Sequence, residues 1–300
     1  EKLEYLGKKV YPSSKNIKTI QNKGLQKLFY KENNLPTSDF KIHAGLKSIE
    51  EDLLANKLTY PFIWKSAQFG YDGKGVKIVE NNDQLKKLPN LECIVEEKIK
   101  IQKELSIIVS RNESNEESNF PIVEMEFNQQ SNLVEQVICP ANITQSIRET
   151  AFKIATKLSR SLNNIGLLAI EMFLTQDNKI LINEIAPRPH NSGHHTIECC
   201  HTSQFEQHLR SILNLPLGDT SIKIPGIMLN LVGENKVEGD VVYENLEEVM
   251  KLPGVALHIY GKRKSRLNRK MGHITIANKN INDAIEISKE IKKIIKVTAK

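Results

Sequence analysis

Between Ile182 and His195 the chain reads Ile-Asn-Glu-Ile-Ala-Pro-Arg-Pro-His-Asn-Ser-Gly-His-His, which places a carboxylate, a guanidinium, imidazoles, an amide, a hydroxyl and two prolines within fourteen residues. No packing requirement selects such a mixture. Prolines restrict the backbone and glycine frees it, so the run reads as a shaped loop leaving a strand, where scaffolds place binding chemistry. Just upstream, Glu171 and Glu184 occupy opposite arms of a hairpin that turns at Gln176-Asp177-Asn178. If Thr175 pairs with Ile180 the two carboxylates face each other; a register one residue different leaves them diagonal. Facing carboxylates repel and call for a cation, and oxygen donors with Asn183 beside them suit magnesium, which retains waters for a phosphate. The alternative is that one glutamate faces solvent or a lysine.

Gly70-Tyr71-Asp72-Gly73-Lys74-Gly75 offers three glycines whose backbone can approach an oxyanion, with Lys74 adding charge. No helix follows it, so it is neither a Walker loop nor a dinucleotide fingerprint. It reads as a plain hairpin turn or as a phosphate lid, and Lys65 on the preceding strand could hold phosphate oxygens beneath it. Glu96-Glu97-Lys98-Ile99 could supply backbone groups to a purine edge, and Glu104 could accept hydrogen bonds from ribose hydroxyls; solvated strand ends look the same. The run from His194 to His201, with Cys199 and Cys200, lacks the spaced cysteine pairs of structural zinc sites and is read as non-metal. Residues 262–270 carry six cations in nine positions, either a solvated, self-repelling loop or an anion site.

The elements that must position these groups follow from periodicity. Strands are expected at 62–65 and 76–79, joined by the glycine loop, then at 93–98, 105–111, 122–127, 166–175, 179–185, 227–232, 255–260 and 273–277, suggesting a mixed or antiparallel sheet. Helices are expected at 24–33 through Leu25, Leu28 and Phe29, at 144–162 through Ile147, Ala151, Ile154, Ala155 and Leu158, and at 282–297. Ser203 with Glu206 forms a capping-box pattern opening a helix at 203–213. Residues 1–20, polar and aperiodic, read as the tail of something else.

With 300 residues, 39% hydrophobic and 26% charged, the chain can bury two cores. No apolar run approaches the roughly 20 residues that span a bilayer, and the start has no signal-peptide character, so a cytoplasmic protein with no membrane partner is expected. Four cysteines without paired spacing suggest reduced thiols. The net charge of +6 is carried by scattered lysines with matching glutamates, and aromatics are only 6%, which argues against nucleic acid.

Taken together, Lys65, the Gly70–Gly75 run, Glu104-Leu105-Ser106, Glu171, Asn183 to Arg188, His190 to His194 and Gly272-His273 resemble N5-carboxyaminoimidazole ribonucleotide synthetases, ATP-grasp ligases of purine biosynthesis. The resemblance runs from about Gly24 to His273. It implies an α+β/α/β fold, with two ATP-grasp subdomains clasping ATP over residues 21–215 (a lid at about 60–125) and a small β-rich domain over 216–300 bearing the basic loop. It implies ATP-dependent carboxylation of 5-aminoimidazole ribonucleotide by bicarbonate through carboxyphosphate. It further implies that Lys27, Lys65, Gly70 to Val76, Glu96 to Ile99, Glu104, Asn183 and Glu184 hold ATP, and that Glu171 and Glu184 bind magnesium, or manganese in its place. Tyr71, Asp72, Lys74, Arg188, His190, Asn191, Ser192, Lys262 and Arg269 would surround the ribonucleotide, with Arg188, His190 and Lys262 as catalytic groups, in a homodimer. Departures are Phe69 for a common glycine, Pro189 within Arg-x-His, and His195 for a usual tryptophan. The family's N-terminal nucleotide-fold domain has no counterpart here, so residues 1–20 read as a linker or its remnant. An ATP-binding fragment without turnover, or a ligase for another carboxylate, are the competing expectations.

Overall fold

The computed structural model describes residues 1–68 and 75–300. The chain divides into two compact units, the first comprising residues 1–103, 145–164 and 170–187, the second 104–144, 165–169 and 188–300. The expected boundary at 215/216 falls within the second unit, where Val134–Cys139 is bonded antiparallel to Gly226–Val232.

In the first unit four antiparallel strands lie in the order Phe40–His43, Cys93–Glu97, Phe62–Ser66, Val76–Val79. Trp64 pairs with Val95 and Ile63 with Glu96. Because side chains alternate across a strand, Phe62, Trp64, Cys93 and Val95 fall on one face, where they pack with Ile49, Val79 and Leu85. Lys65 and Glu96 fall on the other face as diagonal cross-strand neighbours. The sequence pattern thus fills a core and raises two charged groups from the same two strands.

The Lys23–Glu32 helix starts where the Asn22 side chain accepts the Leu25 N–H at 3.0 Å. Its expected apolar face is not the buried one. Leu25 and Leu28 are each 39% exposed, while Gly24, Gln26, Lys27 and Tyr30 are buried. The Gln145–Leu162 helix does bury the expected Ala151, Ala155 and Leu158. Residues 1–20 are not structureless: Ser13 accepts from Asn16 N–H at 3.2 Å and caps a helix over Ser14–Gln21.

The second unit is built on an antiparallel order of Ile101–Arg111 (from residue 104 onward), Val123–Phe127, Val134–Cys139, Gly226–Val232, Lys270–Ala277 and Val255–Ile259. The Ile281–Ile294 helix covers it, closing a core of Ile227, Leu229, Leu231, Met271, Ile274, Ile276, Ala284 and Ile291. That helix stops at Ile294, short of the expected 297, because Lys296–Ala299 turns into a strand bonded to Gly239–Glu244. Among the described residues no helix is long and apolar enough to cross a membrane.

Candidate active site

The first unit gathers Lys27, Lys65, Glu96 and Asn183 into one cluster. Lys65 Nζ lies 3.0 Å from Glu96 Oε2 and donates to Asn183 Oδ1 at 3.1 Å. Lys27 Nζ lies 3.1 Å from Glu96 Oε1 in a charge contact outside hydrogen-bond alignment, and donates to Thr37 Oγ1 at 2.5 Å and Ser38 Oγ at 2.8 Å. Ser38 Oγ in turn donates to Glu96 Oε2 at 2.9 Å. Glu96 is 3% exposed. Burial alone would raise its carboxyl, but the Lys65 and Lys27 ammoniums outweigh that and hold it below the ordinary range. Burial lowers Lys27 to about 8, against the opposing pull of Glu96. Two ammoniums thus share one carboxylate, an excess of positive charge suited to an incoming polyanion. Glu96 is expected to offer its backbone to a purine; its side chain organises the two lysines. Beyond it, Glu97 and Lys98 are exposed and Ile99 is half-buried.

Glu184 is joined by a cation that the sequence did not point to: Lys23 Nζ sits 2.6 Å from its Oε2. The hairpin register is also one residue from the facing arrangement at its turn. Thr175 N–H donates to the Lys179 carbonyl at 2.9 Å and Asn178 N–H to the Thr175 carbonyl at 3.0 Å, with Asn178 at φ 61°, so Thr175 pairs with Lys179 through a left-handed bulge residue. Farther along, the burial alternation breaks, with Ile182 and Ile185 buried and Asn183 and Glu184 both intermediate. Glu171 is likewise intermediate. Among the described residues no group of three histidine, cysteine or acidic side chains could hold a metal. The side-chain donors Glu171, Asn183 and Glu184 are oxygens of the kind a hard ion takes, with phosphate oxygens and water to complete it, and Glu184 is engaged by Lys23.

Of the glycine loop, Gly75 has φ 82° and its carbonyl accepts from Ser66 N–H at 2.9 Å, and Val76 opens the next strand. Gly70, Tyr71, Asp72, Gly73 and Lys74 lie outside the described residues.

In the second unit the turn after Arg188 is pinned from several sides. Gln204, fully buried, accepts the His190 N–H at 2.8 Å, donates to the His190 carbonyl at 2.8 Å, and bonds His194 Nδ1 at 3.0 Å. Asn191 and Asn230 exchange paired amide bonds of 2.7 and 2.9 Å, and Asn230 donates its second hydrogen to the Val134 carbonyl. Ser192, 2% exposed, bonds both His190 Nδ1 at 2.9 Å and Ser106 Oγ at 2.8 Å. A Cβ at Gly193 would meet Ile108 Cδ1 and lie 2.6 Å from Gln204 Oε1, so the backbone passes where only glycine fits. Asn191 and Ser192 therefore use their side chains to shape the turn that carries exposed Arg188 and half-buried His190. Glu104 lies on the strand opposite Met125.

The basic loop is not self-repelling. Lys264 pairs with Asp240 at 2.9 Å and Arg266 with Glu238 at 3.7 Å. Arg269 donates to the Lys264 carbonyl at 2.7 Å; Lys262 donates to the Lys270 carbonyl at 2.6 Å and lies 5.4 Å from the Tyr260 ring centroid. Tyr260 meets His273 Nδ1 at 3.0 Å, and His273 stacks between His194 and His258 at 4.8 and 4.3 Å. Burial lowers His194 to about 4 and His273 to about 3, so these two rings are neutral near pH 7. All four cysteines are free and buried. Burial raises Cys199 and Cys200 to about 12, which keeps them protonated thiols near pH 7. His195, where tryptophan was expected, is 1% exposed and bonds the Ser192 carbonyl at 3.0 Å.

Sequence reasoning missed Lys23, Ser38, Gln204 and Asn230, and named Ser106 within a motif without a role. Each acts on a residue far away in the chain, which local spacing does not reveal.

Residues 28–205 match the ATP-grasp domain family and residues 226–287 the phosphoribosylaminoimidazole carboxylase C-terminal domain. An N5-carboxyaminoimidazole ribonucleotide synthase of Bacillus subtilis is 43% identical over 223 residues, covering 73% of this chain and 57% of that protein. The chain spans about half the length of the curated relatives it matches. The crystal structure of the Thermotoga maritima N5-carboxyaminoimidazole ribonucleotide synthetase is similar with a TM-score of 0.90 at 40% identity, covering 100% of this chain and 78% of that one. The Aspergillus clavatus enzyme, solved in complex with ADP and 5-aminoimidazole ribonucleotide, has a TM-score of 0.85 at 30% identity, covering 97% and 78%. The chain has the ATP-grasp fold and belongs to the N5-carboxyaminoimidazole ribonucleotide synthase family.

Proposed function

We propose that the chain carries the ATP-dependent carboxylation of 5-aminoimidazole ribonucleotide by bicarbonate. The observation that carries this reading is the convergence of Lys27 and Lys65 on one buried carboxylate, a cationic cluster that suits ATP phosphates. A bicarbonate oxygen attacks the terminal phosphorus, the bond to ADP breaks, and carboxyphosphate forms. The exocyclic amine then attacks the carboxyl carbon, phosphate leaves with the carbon–oxygen electron pair, and loss of the amine proton completes the carbamate. Phosphoryl transfer of this kind needs charge neutralisation and alignment more than covalent help. Magnesium, held by Glu171 and Glu184 with Asn183 adjacent, would supply further neutralisation of phosphate charge. In the second unit, Arg188 and His190 on the pinned turn, with Lys262 and Arg269 from the basic loop, form the ribonucleotide site.

We read Glu96 to Ile99 and Glu104 as the adenine and ribose contacts, the glycine run as the lid, the protein as a cytoplasmic homodimer, and Asn191 and Ser192 as ribonucleotide contacts that also brace the substrate turn. ADP release with bicarbonate, measured with and without aminoimidazole ribonucleotide, tests the reading. Stimulation by the ribonucleotide supports it; ATP binding without stimulated turnover favours a non-catalytic ATP-binding module, and stimulation by another carboxylate favours a different ligase.

A further inference from the structure

His190 has a ring whose proton can be located from its neighbours. Its Nδ1 accepts the backbone N–H of Ser192 at 3.4 Å and lies 2.9 Å from Ser192 Oγ. A backbone amide can only donate, so Nδ1 must present its lone pair, and a neutral ring with an accepting Nδ1 carries its proton on Nε2. The Ser192 hydroxyl then has one role left toward that nitrogen, as donor. Having given its single proton to Nδ1, Ser192 Oγ must accept at its 2.8 Å contact with Ser106, so the Ser106 hydroxyl donates. Both serines are at most 2% exposed, which limits competition from water for these bonds. A directed chain results, from Ser106 to Ser192 to His190, while Gln204 clamps the His190 backbone on both its N–H and its carbonyl.

We infer that Ser106 and Ser192 hold His190 as the neutral tautomer protonated on Nε2, so that His190 meets its substrate as a hydrogen-bond donor and not as a base. The inference rests on the reading that this turn faces the ribonucleotide and the carboxyl group it receives. A donor there suits the anionic oxygens of bicarbonate and of the carboxyl being transferred. When the amine attacks the carboxyl carbon and the carbon–oxygen bond to phosphate breaks, the amine proton passes to the departing phosphate oxygen, and no proton acceptor is required of His190. Ser106 is thereby a positioning residue, acting through two hydrogen bonds on a ring it does not touch.

Two-bond hydrogen–nitrogen correlation on the chain labelled with nitrogen-15 histidine tests this, with His190→Gln identifying the His190 resonances. The expected wild-type pattern is a pyridine-type Nδ1 and a pyrrole-type Nε2. Ser192→Ala is expected to move both nitrogens toward exchange-averaged values, and Ser106→Ala to lower kcat for ribonucleotide-stimulated ADP release by about tenfold while KM for ATP stays within about twofold. A pyrrole-type Nδ1 in the wild type, alone or on both nitrogens, overturns the inference, as does a Ser192→Ala spectrum unchanged from wild type. The wild-type pattern decides the tautomer even if a serine variant fails to fold. The expected tautomer without ribonucleotide-stimulated turnover overturns the carboxylation reading instead, and with it the donor role toward that substrate.

Discussion

Lys27 makes nucleotide binding a proton-linked event. Its ammonium is almost fully buried, and burial brings it from 10.5 to about 8 even though Glu96 pulls the other way. The displacement corresponds to about 3 kcal/mol favouring the neutral amine relative to a solvated lysine. In the nucleotide-free chain about a tenth of Lys27 is unprotonated at pH 7, about half at pH 8 and about nine-tenths at pH 9. ATP phosphates beside it restore the charged form, so binding should take up ~0.1, ~0.5 and ~0.9 proton at those pH values, and affinity should fall about fivefold from pH 8 to pH 9. Terminal phosphates, with a second ionisation near pH ~6, are already anionic there and mask little of this. Calorimetric titration of ATP in pairs of buffers with different ionisation heats measures the uptake directly. The same displacement sets a stability slope: the unfolded chain binds more protons than the folded one between about pH 8 and 10.5, so the nucleotide-free fold gains stability as pH rises through that window. Uptake that stays flat from pH 7 to 9, or that survives in Lys27→Met, refutes the reasoning.

Three further outcomes follow from the same geometry. Glu96→Gln leaves two buried ammoniums without their shared carboxylate and should cost about 3–5 kcal/mol, read as a lower urea midpoint; an unchanged midpoint contradicts the cluster. Gly193→Ala forces a methyl against Ile108 and Gln204 and should cost about 1–3 kcal/mol while loosening the His190 turn, visible as a lower melting temperature with reduced turnover. Arg269→Ala removes a cation that a ribonucleotide phosphate would meet, and should raise KM for the ribonucleotide about tenfold or more with little change for ATP; equal loss of both marks the loop as structural.

Much of the frame was legible in the chain. Alternating Phe62, Trp64, Cys93 and Val95 announced two strands, the Ala151, Ala155 and Leu158 spacing announced the long helix, and Ser203 accepts Glu206 N–H as its capping pattern predicts. The helix over Lys23–Glu32 was legible in extent but not in orientation. Its leucines suggested one face, whereas the buried face carries Lys27 and Tyr30, because the site requires a lysine inside and the solvent side tolerates leucine. The strands at Phe40–His43 and Val134–Cys139 were not read from the sequence; Phe40–His43 is four residues long and pairs with the distant Cys93–Glu97, and Val134–Cys139 pairs both with the nearby Val123–Phe127 and with the distant Gly226–Val232.

Residue chemistry along the chain set the expectations, since lysines, two glutamates on one hairpin and the arginine–histidine turn limit by type and local spacing what they can bind. Tertiary structure alone decided which groups are free to act. Lys23 reaches Glu184 across 161 positions, Gln204 reaches His190 across 14, and Ser106 reaches Ser192 across 86. Hydrogen bonds and ion pairs are fixed by distances of about 3 Å, which the order of residues along a chain does not encode until the backbone folds.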